Sequence, residues 1–195
     1  MRCRYGLIML VVLVCGCATL PNRFDPAPVP GSQAVVFDID GTLTPTPLRF
    51  WQPREHAAVA VRGFADAGYQ VFYVTARVRM LQAPIPGWLE GHGFPRGALF
   101  LTETAADRDD HAAFKTRILR QLQQQGWRLE WAFGDSTSDA SAYRAAGIPA
   151  DRIVGLQRQC EDACEPGEWA RCLPDWGAWS LQPRAGHQHR RGGAQ

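Results

Sequence analysis

The stretch Ala34-Val35-Val36-Phe37-Asp38-Ile39-Asp40-Gly41-Thr42-Leu43-Thr44 sets an apolar run directly against two carboxylates and a glycine turn. Four apolar residues in succession fit a strand buried on both faces. Strand side chains alternate, so Asp38 and Asp40 are expected to project to one side and Ile39 to the other. Two carboxylates held this close repel each other unless a cation or a shared proton intervenes. With oxygen ligands alone, Mg²⁺ is the natural cation.

Working outward, Pro53 to Ala67 reads as a helix, with Ala57, Val61, Phe64 and Ala65 on one face and Gly68 ending it. Val71-Phe72-Tyr73-Val74 and Ala98-Leu99-Phe100-Leu101 are further buried strands. Asp110 to Gln125 is a second helix, with Phe114, Ile118 and Leu122 on one side and Gly126 after it. Trp131-Ala132-Phe133 and Ile153-Val154-Gly155-Leu156 bring the expected strands to five. Alternating strands and helices predict an α/β fold with a five-stranded parallel sheet covered on both faces, over residues 34–157. In such sheets ligands bind beyond the C-terminal strand ends.

The polar residues fall at those ends. The second strand closes on Thr75-Ala76-Arg77, a hydroxyl and a guanidinium suited to phosphate oxygens. The fourth closes on Gly134-Asp135-Ser136-Thr137-Ser138-Asp139, which adds two carboxylates, and Lys115 lies on the helix before it. Each piece has a structural explanation by itself. Asp-x-Asp-Gly is often a turn, Asp135 and Asp139 could begin a helix, and Lys115 could be solvated. Their order at successive strand ends argues for chemistry. Of 21 basic residues only Lys115 is Lys, placed where a compact charge rather than a planar fork is needed.

Composition narrows the function. The 195 residues are 46% hydrophobic and 21% charged, as in a globular domain. Removing an N-terminal segment with Arg2 and Arg4 leaves 19 basic against 19 acidic residues, a balance that argues against a nucleic-acid binder.

Asp38-Ile39-Asp40-Gly41-Thr42, Thr75, Lys115, and Gly134-Asp135 with Asp139 resemble, in order, the four motifs of the haloacid dehalogenase (HAD) phosphatase superfamily. Leu43-Thr44, Tyr73-Val74-Thr75-Ala76-Arg77, Trp88-Leu89, Asp139-Ala140, Ala142-Tyr143-Arg144, Gly147-Ile148-Pro149 and Arg152-Ile153 extend the resemblance to the lipin-type phosphatidate phosphatase branch. Asp135-Ser136 departs from that branch, whose pattern has Gly-Asn-Arg, and agrees with the wider superfamily. The resemblance implies a HAD-like Rossmannoid three-layer sandwich and a phosphomonoester hydrolase. It makes Asp38 the nucleophile that forms an aspartyl-phosphate and Asp40 the acid and base. It assigns Mg²⁺ to Asp38, the backbone carbonyl of Asp40, and Asp135, with Asp139 in support. Thr75, Lys115 and the loop Ile39, Gly41 and Thr42, with Ala76 and Arg77, would bind the phosphoryl group.

Neither insertion, after Asp40 or between Arg77 and Lys115, is long enough for the large cap domain that many HAD enzymes carry. An open site suits a lipid headgroup at a membrane or a phosphorylated macromolecule. Leu48-Arg49-Phe50-Trp51 could serve an interface or plug the start of a core helix. Arg77 and Arg79 could meet a headgroup or form structural ion pairs. Three functions stay open: a lipid phosphatase, a phosphatase for soluble esters such as nucleotides or sugar phosphates, and a non-catalytic headgroup-binding module.

The ends carry other signals. Arg2 and Arg4, the apolar run from Leu7 to Val14 and small residues after it read as a signal peptide over 1–16. Val14-Cys15-Gly16-Cys17 resembles the bacterial lipobox, which implies a lipid on Cys17 and anchoring in the cell envelope, on the periplasmic side of the outer membrane. The Pro-rich linker to residue 33 would reach roughly 50 Å. Cys160, Cys164 and Cys172 in the C-terminal extension 158–181 fit one disulfide and a spare thiol, with zinc the alternative, and Trp169, Trp176 and Trp179 are expected to pack the extension onto the core. Residues 182–195 read as a disordered tail.

Overall fold

The computed structural model describes residues 31–180, so the signal segment, Cys17, most of the linker and the tail from 182 lie outside the described residues. Its strands are β1 (Gln33–Phe37), β2 (Gln70–Thr75), β3 (Ala98–Leu101), β4 (Arg128–Gly134), β5 (Ile153–Leu156) and β6 (Arg171–Leu173). They form one sheet in the order β3-β2-β1-β4-β5-β6, every neighbouring pair parallel.

Alternation along β1 divides the core. Val35 and Phe37 join the cluster under α1 (Ala57–Asp66), α2 (Ile85–Gly91) and α6 (Trp176–Ser180). Ala34 and Val36 join the cluster under α4 (His111–Gln124) and α5 (Thr137–Ala145), with α3 (Ala105–Asp109) leading into α4. These are the three layers the resemblance implies. Strand order reverses between β1 and β4, and such a reversal opens a crevice at the C-terminal strand ends. No helix among the described residues is long and apolar enough to cross a membrane.

Two expectations need correction. The expected sheet of five strands has six. The last comes from the segment read as an extension and joins β5 through Val154–Arg171, Gly155–Cys172 and Leu156–Leu173. A strand of three residues carries no periodicity to read. Its approach depends on Gly155, where an added Cβ would stand 2.8 Å from the Trp169 ring and 3.0 Å from Cys164 Sγ. Cys164 and Cys172 form the disulfide and Cys160 is free and exposed.

Second, the helix expected from Pro53 starts at Ala57, because Arg54 N–H donates to Leu43 O at 2.7 Å and His56 is left-handed at φ 61°. The segment after β5 packs onto the core through its Trp residues, as expected. Trp176 is fully buried, 5.2 Å from the Phe133 ring and 6.0 Å from Phe37, and its Nε1 donates to Thr42 O at 3.0 Å.

Trp176→Ala is therefore expected to destabilise the protein by about 3–5 kcal/mol in denaturant unfolding. A loss within about 0.5 kcal/mol, as at a surface position, would make the segment an appendage after all.

Candidate active site

Strand β1 ends at Phe37, one residue before the first carboxylate. Asp38 N–H still bonds β4, donating to Phe133 O at 2.9 Å, and then the chain turns. Ile39 O accepts from Leu43 N at 2.8 Å and Thr44 N at 3.0 Å, while Thr44 Oγ1 accepts from Gly41 N at 2.9 Å. The turn requires Gly41 twice over. Its φ is +85°, and an added Cβ would fall 2.1 Å from Asp135 Oδ2. A strand's alternation does not extend through such a turn, so Asp38 and Asp40 meet different partners.

Asp38 faces the middle of the crevice. Helix α4 delivers Lys115, whose Nζ donates to Asp38 Oδ1 at 2.6 Å and Asp139 Oδ1 at 2.5 Å. All three side chains are at most 4% exposed. Asp139 sits in the first turn of α5, where Ser136 caps the helix. Its Oδ2 accepts from Ser136 N at 3.1 Å, Ser136 Oγ at 2.7 Å and Asp135 N at 3.3 Å. Carboxylate oxygens of Asp38, Asp135 and Asp139 all lie within 4.8 Å of one another.

Negative charge exceeds positive at this centre. Burial, joined by Asp139, Asp135 and Asp40 and opposed by Lys115, pushes the Asp38 carboxyl well above its ordinary range. Burial and Asp139 push Asp135 up to about 6 against the pull of Arg158 and Lys115. Burial works against the Lys115 charge, and Asp139 and Asp38 more than offset it, so the ammonium is held firmly protonated. Three converging oxygens with unbalanced charge fit a hard divalent cation of the Mg²⁺ kind.

The Asp40 carboxylate lies outside this oxygen cluster, in keeping with a role for that residue toward a metal through its backbone carbonyl and not its side chain. Arg77 takes both its oxygens: Nε lies 3.1 Å from Oδ1 and 3.0 Å from Oδ2, and Nη2 lies 2.6 Å from Oδ1. Thr75 Oγ1 donates to Asp40 Oδ2 at 3.2 Å. Arg77 is thus an ion-pair partner, and Thr75 is a support of Asp40. Arg77 Nη1 is buried with no hydrogen-bond partner among the described residues, which leaves its N–H donors unused. Thr42 Oγ1 donates to Asp135 Oδ1 at 3.1 Å, Ile39 is buried in the core, and Ala76 follows the end of β2 without a side-chain donor.

Arg158 was missed by sequence reasoning. Its Nε donates to Asp135 Oδ2 at 2.5 Å, and its Nη1 pairs with Glu165. It follows β5 by two residues, so the strand-end rule that located the other groups also covers it. Tyr143 OH braces β4 beneath the site by donating to Phe133 O at 2.9 Å.

Comparison with known proteins agrees with this fold. The sequence model of the family described as PITM 1-3, LNS2 domain, matches residues 35–157. The chain belongs to that family. The human membrane-associated phosphatidylinositol transfer protein 3 is 34% identical over 142 residues, covering 67% of this chain and 14% of that protein. Protein retinal degeneration B of Drosophila melanogaster is 30% identical over 153 residues, 76% of this chain and 12% of its own length. The LNS2-family chain thus spans only a small part of these relatives.

Among solved structures, the D,D-heptose 1.7-bisphosphate phosphatase from B. bronchiseptica, complexed with magnesium and phosphate, superposes with a TM-score of 0.55 at 16% identity. It covers 76% of this chain and 96% of that one. The Pnkp1/Rnl/Hen1 RNA repair complex gives 0.57 at 17% identity, covering 72% and 47%. The fold is HAD-like.

Gly41 and Gly68 are both left-handed, but an added Cβ at Gly68 meets nothing within 4 Å. Gly68→Ala is expected to cost about 1–2 kcal/mol of backbone strain. Gly41→Ala should cost clearly more in the same unfolding measurement, because it also displaces Asp135. Equal losses would contradict the close approach.

Proposed function

We propose that this chain is a Mg²⁺-dependent phosphomonoester hydrolase working through an aspartyl-phosphate, with phosphatidate or another lipid phosphate at a membrane surface as substrate. The observation that carries the reading is the separation of the two carboxylates of Asp38-Ile39-Asp40. Asp38 sits with Lys115 in the buried cluster, and Asp40 is held apart on Arg77 and Thr75. A pure binding module needs neither a nucleophile nor a separately held acid.

The steps follow from charge. A carboxylate approaching a phosphomonoester dianion is repelled, and positive charge must offset this. A divalent cation held by Asp38, Asp135 and Asp139 would favour their ionised forms and offset the charge of the phosphoryl oxygens. Asp38 attacks phosphorus, the ester P–O bond breaks, and Asp40 gives its proton to the departing alkoxide. Asp40 then takes a proton from water, whose oxygen attacks the same phosphorus. Inorganic phosphate leaves and the Asp38 carboxylate is restored. Lys115 neutralises Asp38 and the arriving phosphate, and Arg77 Nη1 offers its unused donors to the substrate. Thr75 and the amides near Ile39 complete the phosphoryl site.

The lipid preference is supported by the LNS2 family and by relatives named as membrane-associated phosphatidylinositol transfer proteins. Those names also favour a second reading, a module that holds a phospholipid headgroup without cleaving it. Anchoring through Cys17 would keep either one at a membrane.

Phosphate release from phosphatidate in micelles with Mg²⁺, set beside a panel of small phosphoesters, separates these readings. Phosphatidate is expected to be the better substrate, and Asp38→Asn is expected to abolish turnover with the fold intact. A variant keeping a tenth of the wild-type rate, about 1.4 kcal/mol on the barrier, would refute the role of Asp38. No release from any ester would favour the binding module.

A further inference from the structure

Five large apolar side chains stand exposed among the described residues, and four of them lie on the two segments that leave the C-terminal ends of β1 and β2, the end of the sheet that carries the site. Leu48 is 88% exposed and Trp51 38%, on the loop after β1. Val78 is 51% and Met80 85% exposed, on the loop after β2. The fifth, Val59, lies on α1. Single exposed apolar residues need no explanation, but four on two adjoining loops do.

The two loops are fastened together. Arg77 Nη2 donates to Phe50 O at 3.2 Å, its guanidinium lies 4.8 Å from the Trp51 ring, and Trp88 Nε1 donates to Trp51 O at 2.8 Å. The apolar tips therefore share one rim, at the C-terminal strand ends where Asp38 and Asp40 lie.

Charge tells what the rim meets. Residues 45–54 and 76–89 contain four Arg and no acidic residue. Arg77 is neutralised by Asp40. Among the described residues the Arg49 guanidinium donates to the neutral amides of Gln52 and Gln159, and neither it nor Arg79 has a carboxylate partner. Apolar tips alternating with uncancelled Arg match the boundary between headgroups and acyl chains of an anionic bilayer.

We propose that Leu48, Trp51, Val78 and Met80, flanked by Arg49 and Arg79, insert into an anionic lipid surface and present the site to it. The inference rests on the catalytic reading for what the rim delivers, and on the rim alone for where the bilayer sits. A lipid phosphate enters the crevice while its acyl chains stay among the rim side chains. Because β1 starts at the opposite end of the strands, nearness of an N-terminal anchor does not by itself bring this rim to the membrane.

Tryptophan emission reads docking in the full chain, because residues 1–33 contain no Trp. The probe is vesicles of dibrominated phosphatidylcholine, with or without phosphatidylglycerol. Wild-type emission is expected to be quenched on the anionic vesicles, and less so without phosphatidylglycerol or at high salt. Trp51→Phe should lose most of the quenching and Leu48→Glu/Met80→Glu all of it. Unquenched wild-type emission, or quenching that persists in Leu48→Glu/Met80→Glu, would overturn the proposal and leave the rim to a protein partner.

Hydrolysis of soluble p-nitrophenyl phosphate distinguishes this from the catalytic reading and controls for folding. Leu48→Glu/Met80→Glu should match the wild-type rate. Asp38→Asn should be quenched like wild type yet hydrolyse nothing. Quenching without hydrolysis in wild type keeps the docking and removes the catalysis. Hydrolysis without quenching does the reverse.

Discussion

The ammonium of Lys115, buried between Asp38 and Asp139 at 2.6 and 2.5 Å, is the interaction that lets the crevice exist. Asp38, Asp135 and Asp139 crowd their carboxylates into one buried volume, and without a cation among them the turn after β1 could not lie against the end of β4. Leaving such charges unpaired costs about 3–5 kcal/mol, comparable with a domain's whole margin of stability. A guanidinium is a planar fork that needs broader space, whereas the ammonium fits as a point charge. That difference accounts for the one Lys in a chain that otherwise relies on Arg.

The sheet order makes the arrangement reachable. Strands β1 and β4 are neighbours at the point where strand order reverses, so their ends bring Asp38 and Asp135 together although 97 residues apart in number. Gly41 removes the side chain that would strike Asp135, and Gly134 does the same for Asp139, whose Cβ would otherwise be 2.4 Å away. Lys115 and Arg77 keep two carboxylates of one short motif in different electrostatic settings. In the proposed reaction that separation divides nucleophile from acid.

Much of this was legible in the sequence because it is local. Apolar runs marked β1 to β5, the strand-end rule led to Asp38, Thr75 and Asp135, and Lys115 stood out on its helix as the one Lys among 21 basic residues, before any contact was known. The misses are long-range. Strand β6 is too short for periodicity, although Trp176 beside it could be read as a packing residue and does lie against Phe37 and Phe133. Arg158 reads as a linker residue until Asp135 accepts its Nε–H. The pairing of Arg77 with Asp40 was one of two alternatives open in the sequence, and only geometry decided it. The start of α1 moved because a tertiary hydrogen bond from Arg54 outweighed the helix signal of Pro53.

The central claim is that the carboxylate beside Lys115 accepts the phosphoryl group. Acid-quenching the protein during turnover of a phosphate ester, followed by peptide mass mapping, tests this most directly. The account predicts one PO₃H increment on the peptide containing Asp38, localised to that side chain. Steady turnover with no adduct in the quenched protein, or an adduct on a different residue, would contradict it.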